Sequence, residues 1–162
     1  MSAPLWSGDK LIAALGARAE GAVPPAVTGA SIDTRTLEPG DVFFAIKGEA
    51  RDGHDFVNGA LEKGAALAVI DESHAAEFKG AGALAVVPDV LKAMEQAGSA
   101  RRAELKAGVV AVTGSVGKTG TKEALRLVLA DQAPTHASAS SYNNHVGVPL
   151  SLARMPKASR FG

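Results

Sequence analysis

Short apolar runs along this chain alternate with segments in which apolar residues recur at helical spacing. The runs are bounded by glycine, proline or charged residues, which is typical of buried strands. On this pattern we predict strands at residues 30–32, 41–46, 65–70, 83–87 and 108–112, and a brief one at 135–138. The helical spacing predicts helices at residues 8–15, 55–63, 75–79, 89–106, 117–131 and 146–154.

Residues at the predicted helix ends agree with these boundaries. Ser7 is a residue type that caps helix N-termini, and Asp89 places a negative charge at the start of a long helix. Gly16 and Gly64 follow predicted helices where a left-handed residue commonly ends one. The helices are therefore delimited by local chemistry as well as by periodicity.

Strands that alternate with helices favour parallel pairing, so the pattern predicts an α/β fold class. A long polar helix ends near Lys106, and a new strand–loop–helix unit begins at Gly108. We therefore predict two units: a small α/β domain at residues 1–106 and the beginning of a second domain, built on a parallel sheet, at residues 107–162.

Composition narrows the function classes. The 162 residues carry 17 Lys and Arg against 17 Asp and Glu, and this balance argues against a general nucleic-acid or anionic-membrane binder. The absence of cysteine excludes disulfide scaffolds, thiolate zinc sites, iron–sulfur clusters and a cysteine nucleophile. No apolar run is long enough for a membrane span, and the start of the chain lacks the pattern of a secretory signal. We expect a cytoplasmic protein.

Residues 109–119 carry the most informative chemistry, because an apolar run leads into T-G-S-V-G-K-T and then into a predicted helix. Gly114 and Gly117 allow the backbone to turn its N–H groups inward and form a concave anion site at the N-terminus of that helix. Lys118 can reach the β and γ phosphates of a nucleotide, and the Thr119 hydroxyl can ligate Mg²⁺. Val112 occupies the first glycine position of the general P-loop pattern. The alternative is a glycine-rich turn with a solvated lysine.

This loop resembles that of the Mur ligase family, T-G-[ST]-x-G-K-[ST], which lacks the first glycine of the general pattern. The following Lys122 and Glu123 resemble one branch of that family, although Gly120 stands where the branch often has Ser or Thr. The resemblance implies ATP and Mg²⁺ as cofactors, with Lys118 catalytic and Thr119 on the metal. It implies that the ATP phosphates are bound by Gly114, Ser115, Val116, Gly117, Lys118, Thr119 and Gly120.

Two further segments carry the same resemblance. Residues 142–150 resemble an N-N-x-x-G-x-P-L motif of the branch, so Asn143 and Asn144 are candidate substrate contacts; the alternative is an asparagine turn before a helix. Residues 31–35, 40–48 and 52–56 resemble the UDP-sugar domain of these ligases. The resemblance implies that UDP-muramoyl peptide is bound by Ser31, Asp33, Thr34, Arg35, Lys47, Gly48, Asp52 and His54, with Asn143 and Asn144.

Two of these residues could have a purely structural role instead. Arg35 can instead form a surface ion pair with Asp33 or Glu38, which contributes little to stability. His54 is as well suited to a structural role at a helix start as to substrate contact. We expect no metal site at His54, because no second histidine or acidic residue lies at ligand spacing along the chain.

The resemblance implies an ATP-dependent amide ligase of peptidoglycan precursor synthesis. Its substrates are UDP-N-acetylmuramoyl-tripeptide and D-alanyl-D-alanine, joined through an acyl phosphate. Such ligases have three domains, so we expect these residues to be an N-terminal portion that binds the UDP substrate and phosphate without ligating alone. A half-built sheet would expose apolar surface, and the chain is then expected to self-associate.

Three other interpretations remain open on the sequence. A sister ligase that adds diaminopimelate or lysine has a different motif where this chain has Asn143 and Asn144. A small P-loop kinase or GTPase usually carries the loop on its first strand, whereas here about a hundred residues precede it. The third is a non-catalytic module that binds UDP-sugar.

Overall fold

The computed structural model of this chain describes residues 4–139 and 145–162. Its strands are β1 (Trp6–Ser7), β2 (Arg18–Glu20), β3 (Ala26–Val27), β4 (Gly29–Ser31), β5 (Asp41–Phe44), β6 (Leu67–Asp71) and β7 (Leu84–Val87). Its α-helices are α1 (Gly8–Leu15), α2 (Val57–Glu62), α3 (Val90–Glu104), α4 (Lys118–Ala130) and α5 (Gly147–Ala153), with 3-10 helices at Gly53–Phe56 and Glu72–His74. In the described ranges no helix is both long and apolar enough to cross a bilayer.

A five-stranded sheet organises the first unit, in the order β2-β7-β6-β5-β4. Strands β4 to β7 pair in parallel, and β2 runs antiparallel to β7. Strands β1 and β3 form a separate antiparallel pair. This mixed arrangement with a parallel centre confirms the predicted α/β class.

The sheet is covered on both faces, which explains why β5, β6 and β7 are continuous apolar runs. Side chains alternate between faces along a strand. Val42 and Phe44 therefore join a core with α1 and α3, whereas Phe43 faces a second core with α2 and Phe78. Burial on both faces is the usual environment of parallel strands.

Most predicted helices are present, and their ends follow the local signals. Gly16 has a left-handed φ of 61° where α1 ends, and Asp89 caps α3 by accepting a hydrogen bond from the Lys92 N–H. Ser7 precedes α1 without a side-chain capping bond. The predicted helix at 75–79 is wrong: the Asp71 carboxylate caps a 3-10 helix at Glu72–His74 instead, and residues 75–80 form turns.

The predicted strand at 108–112 is also wrong as a continuous strand. Gly108 N–H donates to Arg160 O at 3.0 Å and Val110 N–H to Gly162 O at 2.8 Å, while His136 N–H donates to Phe161 O at 2.9 Å. Residues 160–162 thus lie between 108–110 and 134–136. These segments form isolated bridges, Gly108 with Phe161 and Thr135 with Phe161. The strand predicted at 135–138 is therefore reduced to the single bridge at Thr135, because few residues pair in this region.

Helix α5 joins the second segment to the first unit by packing along α3. A Cβ on Gly98 would lie 2.9 Å from Pro149 O, so the two helices approach closely at that glycine. Leu150 is fully buried in the core shared with α1 and α3, and Arg154 Nε donates to Ala30 O at 2.6 Å. The division at residues 106 and 107 stays a prediction.

Helix α4 is the least covered α-helix in the described part of the chain, and this predicts uneven protection from hydrogen exchange. None of its residues is buried, and Leu127 and Val128 are 62% and 60% exposed. We expect amides in α4 to exchange at least about tenfold faster than those of β6 and β7, because weakly packed elements open at lower free energy. Hydrogen exchange with mass spectrometry on the dilute monomer measures this. Uniform protection across both regions would contradict it.

Candidate functional site

The glycine loop leads directly into helix α4, as its sequence predicts. Gly117 is the N-cap of α4 and has a left-handed φ of 82°. Residues with a Cβ atom rarely adopt this backbone conformation. Gly114 has a φ of 147°. No heavy atom lies within 4 Å of a Cβ built on Gly117, so the glycine is required by backbone conformation and not by crowding.

Lys118 lies across this loop. Its Nζ donates a hydrogen bond to Gly114 O at 2.5 Å, which places the ammonium group over the loop. Val116, at the tip, is 91% exposed. Backbone N–H groups at a helix start and a nearby ammonium group together form an arrangement suited to phosphate.

Ser115, Thr119 and Gly120 lie at the same exposed surface. Ser115 is in the loop, and Thr119 and Gly120 are in the first turn of α4. All three residues are exposed to solvent. The roles of these residues toward ATP and Mg²⁺ stay predictions.

Lys122 connects α4 with the chain that follows it. Its Nζ donates to Ser138 O at 2.9 Å and lies 2.9 Å from Glu123 Oε1. Glu123 also accepts a hydrogen bond from Arg126 Nε at 2.8 Å. The hydrogen bond from Arg126, and next the one from Lys122, lowers the pKa of Glu123. Asn143 and Asn144, the predicted substrate contacts further along, lie outside the described residues.

A second group of predicted residues gathers at the carboxyl edge of the sheet. Neighbouring parallel strands end at the same edge, so the segments that follow β4, β5 and β6 come together there. Residues 33–35 follow β4, residues 47–54 follow β5, and residues 72–74 follow β6, which ends at Asp71. This edge contains every residue of the first unit that is predicted to bind UDP-muramoyl peptide.

The segment after β4 is organised by hydrogen bonds from Ser31. Its buried hydroxyl donates to Asp33 O at 2.9 Å and accepts from Asp33 N–H at 3.2 Å. Arg35 Nη2 lies 2.6 Å from Asp33 Oδ2, and hydrogen bonding from Arg35 lowers the pKa of Asp33 to about 2. Thr34 O accepts from Lys63 Nζ at 2.8 Å. Of the two partners considered for Arg35, the structure selects Asp33; its substrate role stays a prediction.

The segment after β5 forms a short hairpin. Lys47 and Asp52 are bridged across it, and Gly48 N–H donates to Arg51 O at 2.9 Å. Lys47 Nζ lies 3.9 Å from Asp52 Oδ2, with the lysine side chain 76% exposed. The hairpin therefore presents an ammonium group to solvent at the same edge of the sheet.

His54 has a structural role at the start of the first 3-10 helix. Its side chain is 3% exposed, and its Nδ1 lies 2.6 Å from Asp52 Oδ1. Its Nε2 accepts a hydrogen bond from Asp71 N–H at 3.1 Å. The Nε2 atom is thereby assigned as the unprotonated nitrogen, and Nδ1 donates to Asp52.

His74 is the residue that sequence reasoning missed. Its ring stacks on that of His54, with centroids 3.9 Å apart and planes within 10°. Its Nδ1 lies 2.7 Å from Asp71 Oδ1. Both histidines follow the carboxyl ends of neighbouring strands, and this topological position is the signal that could have found the pair.

Spacing along the chain therefore did not reveal that a second histidine approaches His54 in space. Candidate ligand atoms of Asp52, His54 and His74 all lie within 4.8 Å of one another. Imidazole lone pairs lie in the ring plane, and the two rings are nearly parallel, so these lone pairs do not converge on one point. The arrangement is a hydrogen-bonded stack, and the expectation of no metal site at His54 stays a prediction.

The Asp71–His74 pair predicts a stability window in pH. Burial raises the pKa of Asp71, but hydrogen bonds from Ser73 and His74 and the charge of His74 outweigh it and lower the pKa to about 2. The hydrogen bond to Asp71 raises the pKa of His74 above 6.5. The Asp71 contribution is therefore lost as pH falls from about 4 to about 2, and the His74 contribution is lost as pH rises through its folded pKa.

We expect Asp71→Asn to remove about 1–2 kcal/mol of unfolding free energy near pH 5, where both charges are present. The difference from wild type should shrink toward pH 2 and again above the folded pKa of His74. Denaturant unfolding across this pH range measures it, with the exposed Glu72→Gln as the matched control. Equal free energies for Asp71→Asn and wild type at pH 5 would contradict the expectation.

Comparison with known proteins gives consistent similarities over nearly the whole chain. Residues 26–118 match the family model "Mur ligase family, catalytic domain", and residues 112–161 match "Mur ligase middle domain". The UDP-N-acetylmuramoyl-tripeptide–D-alanyl-D-alanine ligase of Bacillus subtilis is 40% identical over 131 residues, which cover 81% of this chain and 28% of that protein.

Two solved structures are similar in fold. A crystal structure of MurF from Acinetobacter baumannii matches with a TM-score of 0.82 and 32% identity, over 99% of this chain and 35% of that one. MurF ligase from Thermotoga maritima in complex with ADP matches with a TM-score of 0.65 and 28% identity, over 82% of this chain and 30% of that one. The chain thus spans about a third or less of the length of these proteins.

Proposed function

This chain belongs to the Mur ligase family, and from that premise we propose that it is part of an ATP-dependent ligase that joins D-alanyl-D-alanine to UDP-N-acetylmuramoyl-tripeptide through an acyl phosphate. This reaction belongs to peptidoglycan precursor synthesis. The observation that carries the proposal is the combination of a left-handed glycine loop at the start of α4 with a polar sheet edge in the preceding unit. The first arrangement suits the phosphates of ATP, and the second suits a UDP-linked substrate.

The loop supplies the donors that an ATP-dependent reaction needs. We propose that residues 114–120 bind the ATP phosphates, with Lys118 as the cation that faces the transferred phosphoryl group. Backbone N–H groups and Lys118 would stabilise the charge that accumulates there. The hydroxyl of Thr119, in the first turn of α4, would hold Mg²⁺, which supplies further charge neutralisation when bound.

The carboxyl edge of the sheet supplies the donors for a diphosphate. Lys47 and Arg35 have side chains that are 76% and 87% exposed, so both can turn toward an incoming ligand. Gly48 allows close approach of the backbone at the hairpin. We propose that Ser31, Asp33, Thr34, Asp52 and His54 shape this site around those two basic residues, and that Asn143 and Asn144 contribute from the second segment.

We propose that the 162-residue polypeptide binds ATP and the UDP-linked substrate without completing ligation. The matched residues cover only 28% of the Bacillus relative. A ligase that uses nucleotide-activated precursors works in the cytoplasm, and we place this protein there. Exposed Leu127 and Val128 on α4 support self-association, which sedimentation at several concentrations measures.

Separate calorimetric titrations with UDP-N-acetylmuramoyl-tripeptide and with ATP and Mg²⁺ test the proposal. Binding of both ligands supports it. Binding of the UDP substrate alone identifies a non-catalytic UDP module, and binding of neither overturns the proposal. A ligation assay with D-alanyl-D-alanine tests the claim about the isolated polypeptide, since phosphate release coupled to product would refute it.

A further inference from the structure

We propose that His74 is a positioning residue for the UDP-substrate site, acting through its stack on His54; this rests on the proposed function of the sheet edge. Nothing in the sequence motifs includes His74, and it lies twenty residues after His54 along the chain. The two rings meet because β5 and β6 are adjacent parallel strands whose ends lie side by side. A chain of contacts leads from His74 through His54 and Asp52 to the hairpin that carries Lys47.

The first step is the anchoring of His74 itself. Asp71 Oδ1 accepts hydrogen bonds from the Ser73 hydroxyl at 2.6 Å and from His74 N–H at 3.1 Å, and lies 2.7 Å from His74 Nδ1. Three contacts on one carboxylate oxygen fix the ring orientation. The His74 side chain is 28% exposed, so one part of the ring meets solvent while one face covers His54.

The second step is the effect of the stack on His54. His54 is nearly fully buried, and its two nitrogens connect different segments: Nδ1 bonds Asp52 Oδ1, and Nε2 accepts from Asp71 N–H. Both bonds lie in the ring plane, so they leave rotation out of that plane less restrained. The parallel ring of His74, 3.9 Å away, restrains that motion.

The third step leads from His54 to the ligand. Asp52 uses Oδ1 for His54, and its Oδ2 lies 3.9 Å from Lys47 Nζ. The hairpin is closed at its base by the hydrogen bond from Gly53 N–H to Ile46 O at 3.0 Å. A tilt of His54 would therefore move Asp52 and displace the ammonium group of Lys47 that we assign to the diphosphate.

The charged groups around His74 make its ring more than a packing element. Asp71 lies on the same turn, Asp52 on the hairpin, and Glu77 on the following turn, and each favours the protonated form of His74. A protonated ring would also add a positive charge near the edge where a diphosphate is proposed to bind. Binding through His74 should consequently strengthen as pH falls through its folded pKa.

The test compares His74→Ala, which removes the ring, with His74→Phe, which keeps a stacking ring without charge; Glu72→Ala, on the same 3-10 helix, is the matched control. UDP-N-acetylmuramoyl-tripeptide is the probe in calorimetry from pH 5.5 to pH 8. We expect His74→Ala to raise Kd roughly tenfold at pH 7.5, the effect of a small displacement of a binding group. His74→Phe should stay within about twofold of wild type above the folded pKa of His74 and lose the strengthening below it, and Glu72→Ala should behave as wild type.

Unchanged binding in His74→Ala overturns the inference, and so does an equal loss in His74→Ala and His74→Phe, because the stacked ring would then not be the restraint. If His74→Ala does not fold, His74→Leu replaces it. Hydrogen exchange of residues 47–54 in the ligand-free proteins provides a second readout. Faster exchange in His74→Ala, with rescue in His74→Phe, supports the restraint of His54 by His74. This holds even if the wild-type protein binds no UDP substrate. Absence of binding in the wild type overturns the proposed function and not the restraint. Unchanged exchange overturns the restraint.

Discussion

Lys118→Ala is expected to raise the Kd for ATP by on the order of tenfold to a hundredfold, corresponding to about 1.5–3 kcal/mol for hydrogen bonds to a charged group. Lys118 is the cation placed over the glycine loop, where its Nζ reaches Gly114 O at 2.5 Å. Alanine keeps the helix that starts at this position and removes the charge. The loop amides and the helix N-terminus remain, so residual binding should persist.

Calorimetry with ATP and Mg²⁺ measures this effect, and UDP-N-acetylmuramoyl-tripeptide serves as an internal reference. Its proposed site lies at the sheet edge of the first unit, so its Kd should not change in Lys118→Ala. Lys106→Ala removes an exposed lysine ahead of the loop and is the matched control. Equal ATP affinity in Lys118→Ala and Lys106→Ala would contradict the assignment of Lys118.

Trp6→Ala is expected to lower the free energy of unfolding by about 3–5 kcal/mol, as for other large core truncations. Trp6 is 3% exposed, and its Nε1 donates to Ala153 O at 2.9 Å, at the end of α5. The guanidinium carbon of Arg101 lies 3.8 Å from the centre of its ring. The variant therefore loses a buried ring, a hydrogen bond between distant segments, and the cover over a buried cation.

The loss of the aromatic ring over Arg101 explains why we expect the decrease in unfolding free energy to lie toward the upper end of this range. Its side chain is fully buried, its Nη2 donates to Leu5 O, and its Nε has no hydrogen-bond partner in the described part of the protein. Burial lowers the pKa of Arg101, against the opposing effect of Glu104. A buried cation that loses its aromatic partner is left poorly compensated.

Chemical denaturation measures the change, with Trp6→Phe as the conservative variant. Phenylalanine keeps an aromatic face toward Arg101 but removes the N–H donor to Ala153 O and part of the buried ring system, so about 1–2 kcal/mol should be lost. Hydrogen exchange should in addition rise in α5 more than in β6 for Trp6→Ala. A Trp6→Ala protein within about 1 kcal/mol of wild type would contradict the proposed anchoring.

The glycine loop and the sheet illustrate what sequence reasoning could reach. Gly117 and Lys118 act through bonds and backbone angles within a few residues, so their pattern predicted the loop and the start of α4. The strands β5, β6 and β7 were recognisable because burial on both faces demands continuous apolar runs. Their parallel pairing then placed the segments after β4, β5 and β6 at one edge.

The errors came from interactions between distant residues. The run at 108–112 has strand composition, but a strand also needs partner residues. Among residues 4–139 and 145–162, the backbone partners of this run are residues 160–162 alone. The helix predicted at 75–79 was displaced because Asp71 caps an earlier turn. A metal site was judged by spacing along the chain, and spacing does not register that His74 stacks on His54.

By itself the sequence determined the local chemistry of this protein: which runs become buried strands, where helices begin, and which loop has the backbone for an anion. These features depend on periodicity and on residues only a few positions apart. The tertiary structure alone decided that α5 packs on α3 at Gly98 and is joined to β1 by the bond from Trp6 to Ala153 O. It also decided that Asp52, His54, Asp71 and His74 form one network. Such contacts depend on strand order and helix packing, because these bring together residues that the chain keeps far apart.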